Sequence, residues 1–392
     1  MNPSAAKTYR ESFPDVVFPT RREEAWRYVD LTPILETAFV EPEKTPSSFS
    51  GSGRIQIVFM NGKYSPEFSE LGALPKGTAV RPLRGGISEK NSDPFAAINA
   101  RRFRDGVWLD IPDESCLIDP VHVFFVSAPP AGAPCVFYPR LLVHAGNQVR
   151  ASFILHYTGE TAAAHFVNAV NEFQLGKKSH VDVVQLSRDR GAFQFAANRF
   201  LLDEGSSLES SVFTSDASRV LRNDSEIHFR APKAFASMKG LTVLKGDSES
   251  HHHVQAIHAA PGCTSRQFYK TILTDRARSE FDSLVRVHPN AEKSDSKQLS
   301  RSLLLSETAQ GFARPKLIIE NDDVSCHHGA TVGPIEKDEL FYLRSRGLSK
   351  SVARFLLTYG FAQEIIDEIR DKSLKNDLEK NIQEAIKGMV KT

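Results

Sequence analysis

From residue 107 to about residue 333 the chain is written in short apolar alternations broken by turn residues, with no stretch that repeats at helical spacing. Turns that follow an apolar residue or pair recur at Cys116, Gly146, Gly176, Gly205, Pro232, Gly262, Ala291 and Asn321, with gaps of 30, 30, 29, 27, 30, 29 and 30 residues. Apolar pairs such as Leu142 and Val143, Phe173 and Leu175, Ile227 and Phe229, and Val285 and Val287 sit just before these turns. A period near 29 with short strands suits a β-solenoid, because each coil buries its apolar face only against the coils above and below. The spacing predicts a mainly-β chain with a parallel solenoid of about eight coils, in which seven steps of about 4.8 Å make a stack about 34 Å tall.

The pattern changes on both sides of this region. Thr20 with Glu23 three positions later, then Ala25-Trp26 and Tyr28-Val29, predicts a short capped helix with an aromatic face. Residues 42–53 are rich in Pro, Ser and Gly and read as a linker. Residues 54–60 are strand-like, and Asn61-Gly62 signals a hairpin turn before Tyr64. Asp93-Pro94 opens a helix carrying Phe95, Ile98 and Phe103, which Gly106 is expected to close. Past Pro334 the spacing turns helical over residues 336–346, stopped by Gly347. Ser349 caps a helix bearing Val352, Phe355, Leu356 and Tyr359 that Gly360 is expected to interrupt, and Leu374, Leu378, Ile382, Ile386 and Met389 form one more apolar stripe. The chain thus divides into residues 1–106, 107–333 and 334–392. The helical stripes should pack on each other and on the end of the solenoid, and a few short helices there could also dock a partner. Since each coil leans mainly on its neighbours, deleting the chain after Gly333 is expected to leave the solenoid largely folded.

Charge narrows the partners little. Lys plus Arg total 49 against 48 Asp plus Glu, so no nucleic-acid or anionic-membrane partner is indicated. The first fifteen residues lack the apolar centre of a signal peptide, and no run is long enough to span a membrane, which reads as a cytoplasmic protein. The four cysteines, Cys116, Cys135, Cys263 and Cys326, include no Cys-x-x-Cys pair, so reduced thiols are expected in place of a disulfide framework or a self-contained metal or cluster site. Phosphate-loop, dinucleotide-loop and nucleophile-elbow patterns are absent from the sequence.

Chemistry concentrates in residues 323–333, Asp-Val-Ser-Cys-His-His-Gly-Ala-Thr-Val-Gly. On a strand Cys326 and His328 share one face, about 6 to 7 Å apart, while His327 points the other way. A thiol and an imidazole so placed could hold a thiophilic metal or an iron–sulfur intermediate if a partner supplied the remaining ligands; equally, Cys326 could be a small core residue and the histidines satisfied polar groups. A second cluster, Glu249, His251, His252, His253 and His258, allows a cupin-like metal site with Glu249, His251 and His253 on one face, or a solvated coil edge outside any regular strand. Asp322-Asp323 fits a turn at a coil edge. A carbohydrate-active β-helix enzyme would need clustered acids on one exposed face, and Asp182, Asp203 and Glu209 do not fall at matching positions of the repeat.

Residues 326–333, Cys-His-His-Gly-Ala-Thr-Val-Gly, followed by residues 338–347, Asp-Glu-Leu-Phe-Tyr-Leu-Arg-Ser-Arg-Gly, resemble the C-terminal signature of the SufB/SufD family, scaffold subunits of the SUF iron–sulfur cluster assembly machine. Residues 258–265 with Phe268-Tyr269-Lys270 look like that family's core motif, and Pro19-Thr20 through residues 24–28 like its N-terminal one. The resemblance implies a right-handed parallel β-helix and a non-enzymatic subunit that supports cluster assembly and iron acquisition. It implies pairing with a SufB-like paralogue through the final coils, recruitment of a SufC-like ABC-type ATPase through C-terminal helices, and a transient iron–sulfur cluster at the partner interface, with no cofactor held stably by the chain alone. A homodimer is the alternative for the isolated chain. His328 matches the SufD histidine placed at the interface and is the metal ligand the resemblance suggests, shared with the partner, with Cys326 beside it. Phe341, Tyr342, Arg344, Arg346, Phe355 and Tyr359 fall in the ATPase-docking region. SufB carries a cysteine on the preceding coil where residues 297–301 here read Lys-Gln-Leu-Ser-Arg, and a Glu after the histidine where this chain has Gly329. Both departures are similar to SufD and unlike SufB. A metal-dependent or carbohydrate-active β-helix enzyme is the rival reading.

Overall fold

The structure, a computed structural model, describes residues 7–42, 48–83, 93–159, 163–189, 191–215 and 219–390; part of the expected linker, residues 43–47, lies outside them. Two ten-stranded sheets face each other, and the chain crosses from one to the other twice per coil. The first sheet steps from Val121–Ser127 through Arg150–Gly159, His180–Asp189, Ser207–Ser215, Phe235–Leu244, Thr264–Leu273 and Ser294–Leu304 to Val324–Gly333. The second steps from Gly106–Ile111 through Arg140–Ala145, His165–Leu175, Ala192–Leu202, Val220–Phe229, Glu249–His258 and Arg278–Val287 to Gln310–Ile319. Consecutive coils pair in parallel, making about seven turns of a right-handed β-solenoid. Register offsets run from 27 residues, where His180 lies beside Ser207, to 34, where Val107 lies beside Leu141.

Alternation sends every second side chain into the lumen. Val123 and Phe125, Phe153 and Leu155, Phe173 and Leu175, and Val285 and Val287 stack there as one buried column. The recurring turns are also a column. Glu114, Gln148, Lys178, Gly205, Lys233, Gly262 and Lys293 all adopt positive φ, between 55° and 67°, and each donates its backbone N–H to a carbonyl of the next coil, as Gly205 does to Pro232 and Lys293 to Asp323. Seven of the eight repeat anchors, all but Asn321, sit within two residues of this column. Gly176 is required for a different reason: a Cβ there would lie 2.6 Å from the backbone of Gly146 in the coil below.

The flanks follow their local signals with four differences. Ile55–Met60 pairs antiparallel with Lys63–Tyr64 across Asn61 and Gly62, both at positive φ as the tight hairpin demands. Asp93 caps Pro94–Arg102 through the N–H groups of Phe95 and Ala96, but Gly106 begins a strand and does not end this helix, which stops at Phe103; the bare Cα lets the Arg140 carbonyl approach. Around Thr20 and Glu23 only one turn, Glu24–Trp26, forms. Gly360 interrupts nothing: Lys350–Ile366 is one helix, because its apolar stripe carries past the glycine onto Ile365 and Ile366. The Lys337–Ser345, Lys350–Ile366 and Lys372–Val390 helices also differ from expectation in where they sit. The last two cover the outer face of the first sheet, burying Ile154, Leu186, Phe213, Leu241, Val243, Ile272 and Leu303, so they lie along the side of the solenoid and not on its end.

Candidate functional site at the open end of the solenoid

At the N-terminal end of the stack the first sheet finishes in the Ile55–Met60 hairpin, and the second finishes in Ala79–Leu83 antiparallel to Gly106–Ile111. At the other end Gln310–Ile319 and Val324–Gly333 each pair with one neighbour among the described residues, leaving one edge of each open. Most of their side chains are exposed or half-buried, in contrast to every coil below.

Register fixes which face each side chain of the last strand takes. Cys326 lies beside Ser296, His328 beside Gln298, Ala330 beside Ser300 and Val332 beside Ser302; these partners are all buried in the lumen, so Cys326 and His328 belong to the inward row at its open mouth. His327 beside Lys297 and Thr331 beside Arg301 take the outward row, where Ser325 Oγ lies 3.4 Å from His327 Nε2. The alternation expected from the sequence is thus present. His328 is exposed, and Cys326 is half-buried against the core. Burial pushes the Cys326 thiol up from its ordinary value, with the Ser296 backbone acting in the opposite sense, so the group is a thiol near neutral pH.

Below these two residues the lumen is polar. Ser265 Oγ donates to Ser296 Oγ at 2.9 Å and itself lies 2.9 Å from His258 Nε2, an imidazole whose pKa burial pushes down to about 4. Beneath His328, Gln298 Nε2 donates to Ser283 Oγ at 2.5 Å, and Ser283 donates onward to Gln267. His258 and Ser265 fall in stretches singled out from sequence, but Gln267, Ser283, Ser296 and Gln298 were not read as luminal groups. The signal was present in Ser294-x-Ser296-x-Gln298-x-Ser300-x-Ser302, but with Lys297 and Arg301 between them both faces read as polar.

Among the described residues no group of three or more His, Cys, Asp or Glu side chains is arranged to hold a metal ion. Cys326 and His328 are a thiol and an imidazole, two groups of the kind that bind iron, and no third such group stands with them among the described residues. The histidine cluster is no solvated edge: Glu249–His258 is a regular strand, with His251 and His252 buried. Glu249, His251 and His253 do share one face, the outward one, and are consumed in ion pairs. His251 meets Glu280 at 3.0 Å and Glu249 at 3.5 Å, and His253 meets Asp224 at 3.1 Å. Arg222 and Arg314 join the same network, and residues 24–28 lie over it: Glu24 pairs with Lys316, Trp26 lies under Arg222, and Tyr28 stacks on Phe312 with ring centroids 4.0 Å apart.

The acids of the enzyme reading need correcting. Asp182 and Glu209 are register partners, because the coil between them is 27 residues long, and both line a cavity of about 520 Å³ between the first sheet and the turn after Ile366. Asp203 is not among its lining residues. Both carboxylates are engaged there by cations, Asp182 by Arg370 and Glu209 by Lys239 at 3.1 Å and by Arg370. The six helix residues separate into two groups. Phe341 and Tyr342 are 74% and 57% exposed, with Arg344 and Arg346 exposed beside them; no residue of Lys337–Ser345 is buried. Phe355 and Tyr359 are half-buried, stacked 5.8 Å apart against the apolar cluster of the last two helices.

Comparison with known proteins places this geometry. The family described as "SUF system FeS cluster assembly, SufBD core domain" matches residues 127–361, from the end of the Val121–Ser127 strand through the last coil and into the helix of Phe355 and Tyr359. A SufBD family iron–sulfur cluster assembly protein of Synechocystis is 27% identical over 92% of this chain and 86% of its own length. The iron–sulfur cluster assembly protein SufD of Escherichia coli is 25% identical over 94% of this chain and 90% of its own, and SufD of Bacillus subtilis is 23% identical over 93% and 83%. With a family match over more than half of its length and a two-sheeted solenoid that matches the resemblance in the sequence, this chain belongs to the SufBD family of iron–sulfur cluster assembly proteins.

Proposed function

We propose that the chain is a SufD-type scaffold subunit without catalytic turnover of its own, and that its open coil pairs with the corresponding coil of a SufB-like paralogue. The observation that carries this reading is the placement of Cys326 and His328 side by side at the mouth of the lumen, on a strand with an unpaired edge. An open edge recruits another strand, and a homologous coil has the matching backbone spacing. Pairing brings the inward rows of two chains together, so iron and sulfide arriving as cargo meet donors from both where neither chain has enough. His328 acts there as a ligand or proton carrier, and Cys326 as a secondary sulfur donor. The exposed Phe341, Tyr342, Arg344 and Arg346 form the dock for a SufC-like ABC-type ATPase, with Phe355 and Tyr359 supporting it from below. The reading carries with it a cytoplasmic setting; no described helix is long and apolar enough to cross a membrane.

Co-expression with a Cys-bearing paralogue and an ABC-type ATPase tests it. A stable ternary complex that assembles clusters in anaerobic reconstitution is expected. Recovery of the chain without either partner, or turnover of a polysaccharide or nucleotide by pure protein, would sink the reading. The carbohydrate-active alternative is disfavoured because Asp182 and Glu209 are held by Lys239 and Arg370.

A further inference from the structure

Gln298 is 1% exposed and stands in the lumen directly beneath His328 in the coil register. Which end of its amide is which is settled by its neighbours. The atom that meets Ser283 Oγ also lies 3.5 Å from the backbone carbonyl of Lys316, and of the two ends of an amide only the NH2 can donate to a carbonyl oxygen, which assigns that atom as Nε2. Oε1 is then the free end. It is buried and has no hydrogen-bond partner. The chain beneath it runs one way, since Gln298 donates to Ser283 and Ser283 donates to Gln267. An amide that donates through its nitrogen becomes a stronger acceptor at its oxygen, because successive bonds polarise one another. A buried carbonyl oxygen left without a donor costs about 1–3 kcal/mol.

On the inward row, the side chain above Gln298 is His328. We infer that Gln298 is a positioning residue: its Oε1 accepts the ring N–H of His328, holds the neutral imidazole in one tautomer, and turns the other ring nitrogen, with its lone pair, out of the solenoid mouth. Histidines that bind metals or move protons are commonly oriented in this way by a second acceptor behind the ring. The inference rests on His328 being the working group at the open end, and it adds what makes that group directional.

The test uses the isolated full-length chain, so it does not depend on partners or on cluster assembly. Two-bond proton–nitrogen correlation spectra of protein labelled with 15N-histidine, recorded at pH 8.5 and assigned with His328→Gln, report the tautomer populations of His328. The wild type should show one tautomer above about nine-tenths. Gln298→Met, which keeps the length and removes the acceptor, should bring the two forms to comparable populations with the fold intact by thermal melt. Gln298→Glu, which restores an acceptor, should restore the single tautomer. An unchanged His328 spectrum in Gln298→Met, or mixed tautomers in the wild type, would overturn the inference. Failure of the cluster-assembly reading with this spectral pattern intact would leave Gln298 orienting a histidine of some other use.

Discussion

At the residue scale the pair Cys326 and His328 was readable because strand alternation needs only sequence order, and register with the buried Ser296 and Gln298 shows that their shared face is the lumen. His328→Ala should abolish cluster assembly by the complex while changing stability by no more than about 0.5 kcal/mol, since an exposed side chain has little packing to lose. Cys326→Ala should be milder in assembly, and His327→Ala, on the outward row, mildest. Anaerobic reconstitution, complementation and thermal melts of the three variants check that order; normal assembly by His328→Ala would remove it from the site. The buried luminal imidazoles give a separate prediction. Burial holds His252 and His258 down at about 4 in the folded chain, while the ordinary value is 6.5. Between these limits the unfolded state binds more protons, so their contribution is fully present above about pH 6.5 and is lost as pH falls toward 4, by up to about 3 kcal/mol for each imidazole. His165 and His251 act in the opposite sense. Burial lowers them too, but carboxylate partners, Asp189 for His165 and Glu249 with Glu280 for His251, raise them on balance, so their contribution is present below pH 6.5 and fades as pH rises through the folded values. Replacing His258 with Asn should therefore flatten the fall in melting temperature between pH 6.5 and 4.5, and an unchanged slope would contradict the assignment.

At the element scale, local signals worked wherever the cause was local. Asn61-Gly62 made its hairpin and Asp93 its cap, because turn and cap chemistry involve only a few neighbouring residues. Gly360 misled because the tertiary stripe ending in Ile365 and Ile366 outweighs one glycine's cost of about 1 kcal/mol in a helix. What covers each sheet could not be read, since a helix's apolar stripe does not name the surface it meets. This changes one expectation. Deleting the chain after Gly333 would uncover seven apolar side chains on the first sheet, from Ile154 to Leu303, and is now expected to aggregate. Point changes suit the dock better. Phe341→Ala with Arg344→Ala should weaken ATPase binding at least tenfold in a pull-down titration with no change in melting temperature, whereas Phe355→Ala should lower the melting temperature as well. On the second sheet the strap of residues 24–28 reaches the last coil through Tyr28, which stacks on Phe312 beneath Arg314. Loss of that ring should cost about 1–2 kcal/mol and raise hydrogen exchange in Gln310–Ile319 while leaving Ala192–Leu202 protected.

At the scale of the whole molecule the solenoid is nearly one-dimensional, so its two ends differ from its body only by what caps them. The hairpin and the antiparallel Ala79–Leu83 strand finish one end, and the other presents two open strands. Ile319 and Val332 stand on those strands, 43% and 44% exposed, on the same inward rows as the buried columns below. Inward apolar residues left at a mouth gain most by meeting another coil, because that contact removes them from water without any change in the backbone. Ile319→Glu and Val332→Glu should therefore leave the single chain within about 0.5 kcal/mol of its original stability, as expected for substitutions at exposed positions. Association should respond far more strongly, because each carboxylate would be carried into a dry contact between two lumens and would lack a partner there. Light scattering of the isolated chain and co-purification with the paralogue read the two quantities separately. Loss of dimer or complex with an unchanged melting temperature is the expected result. Retained association in the doubly substituted chain would move the interface away from the open coil, and with it the site at Cys326 and His328.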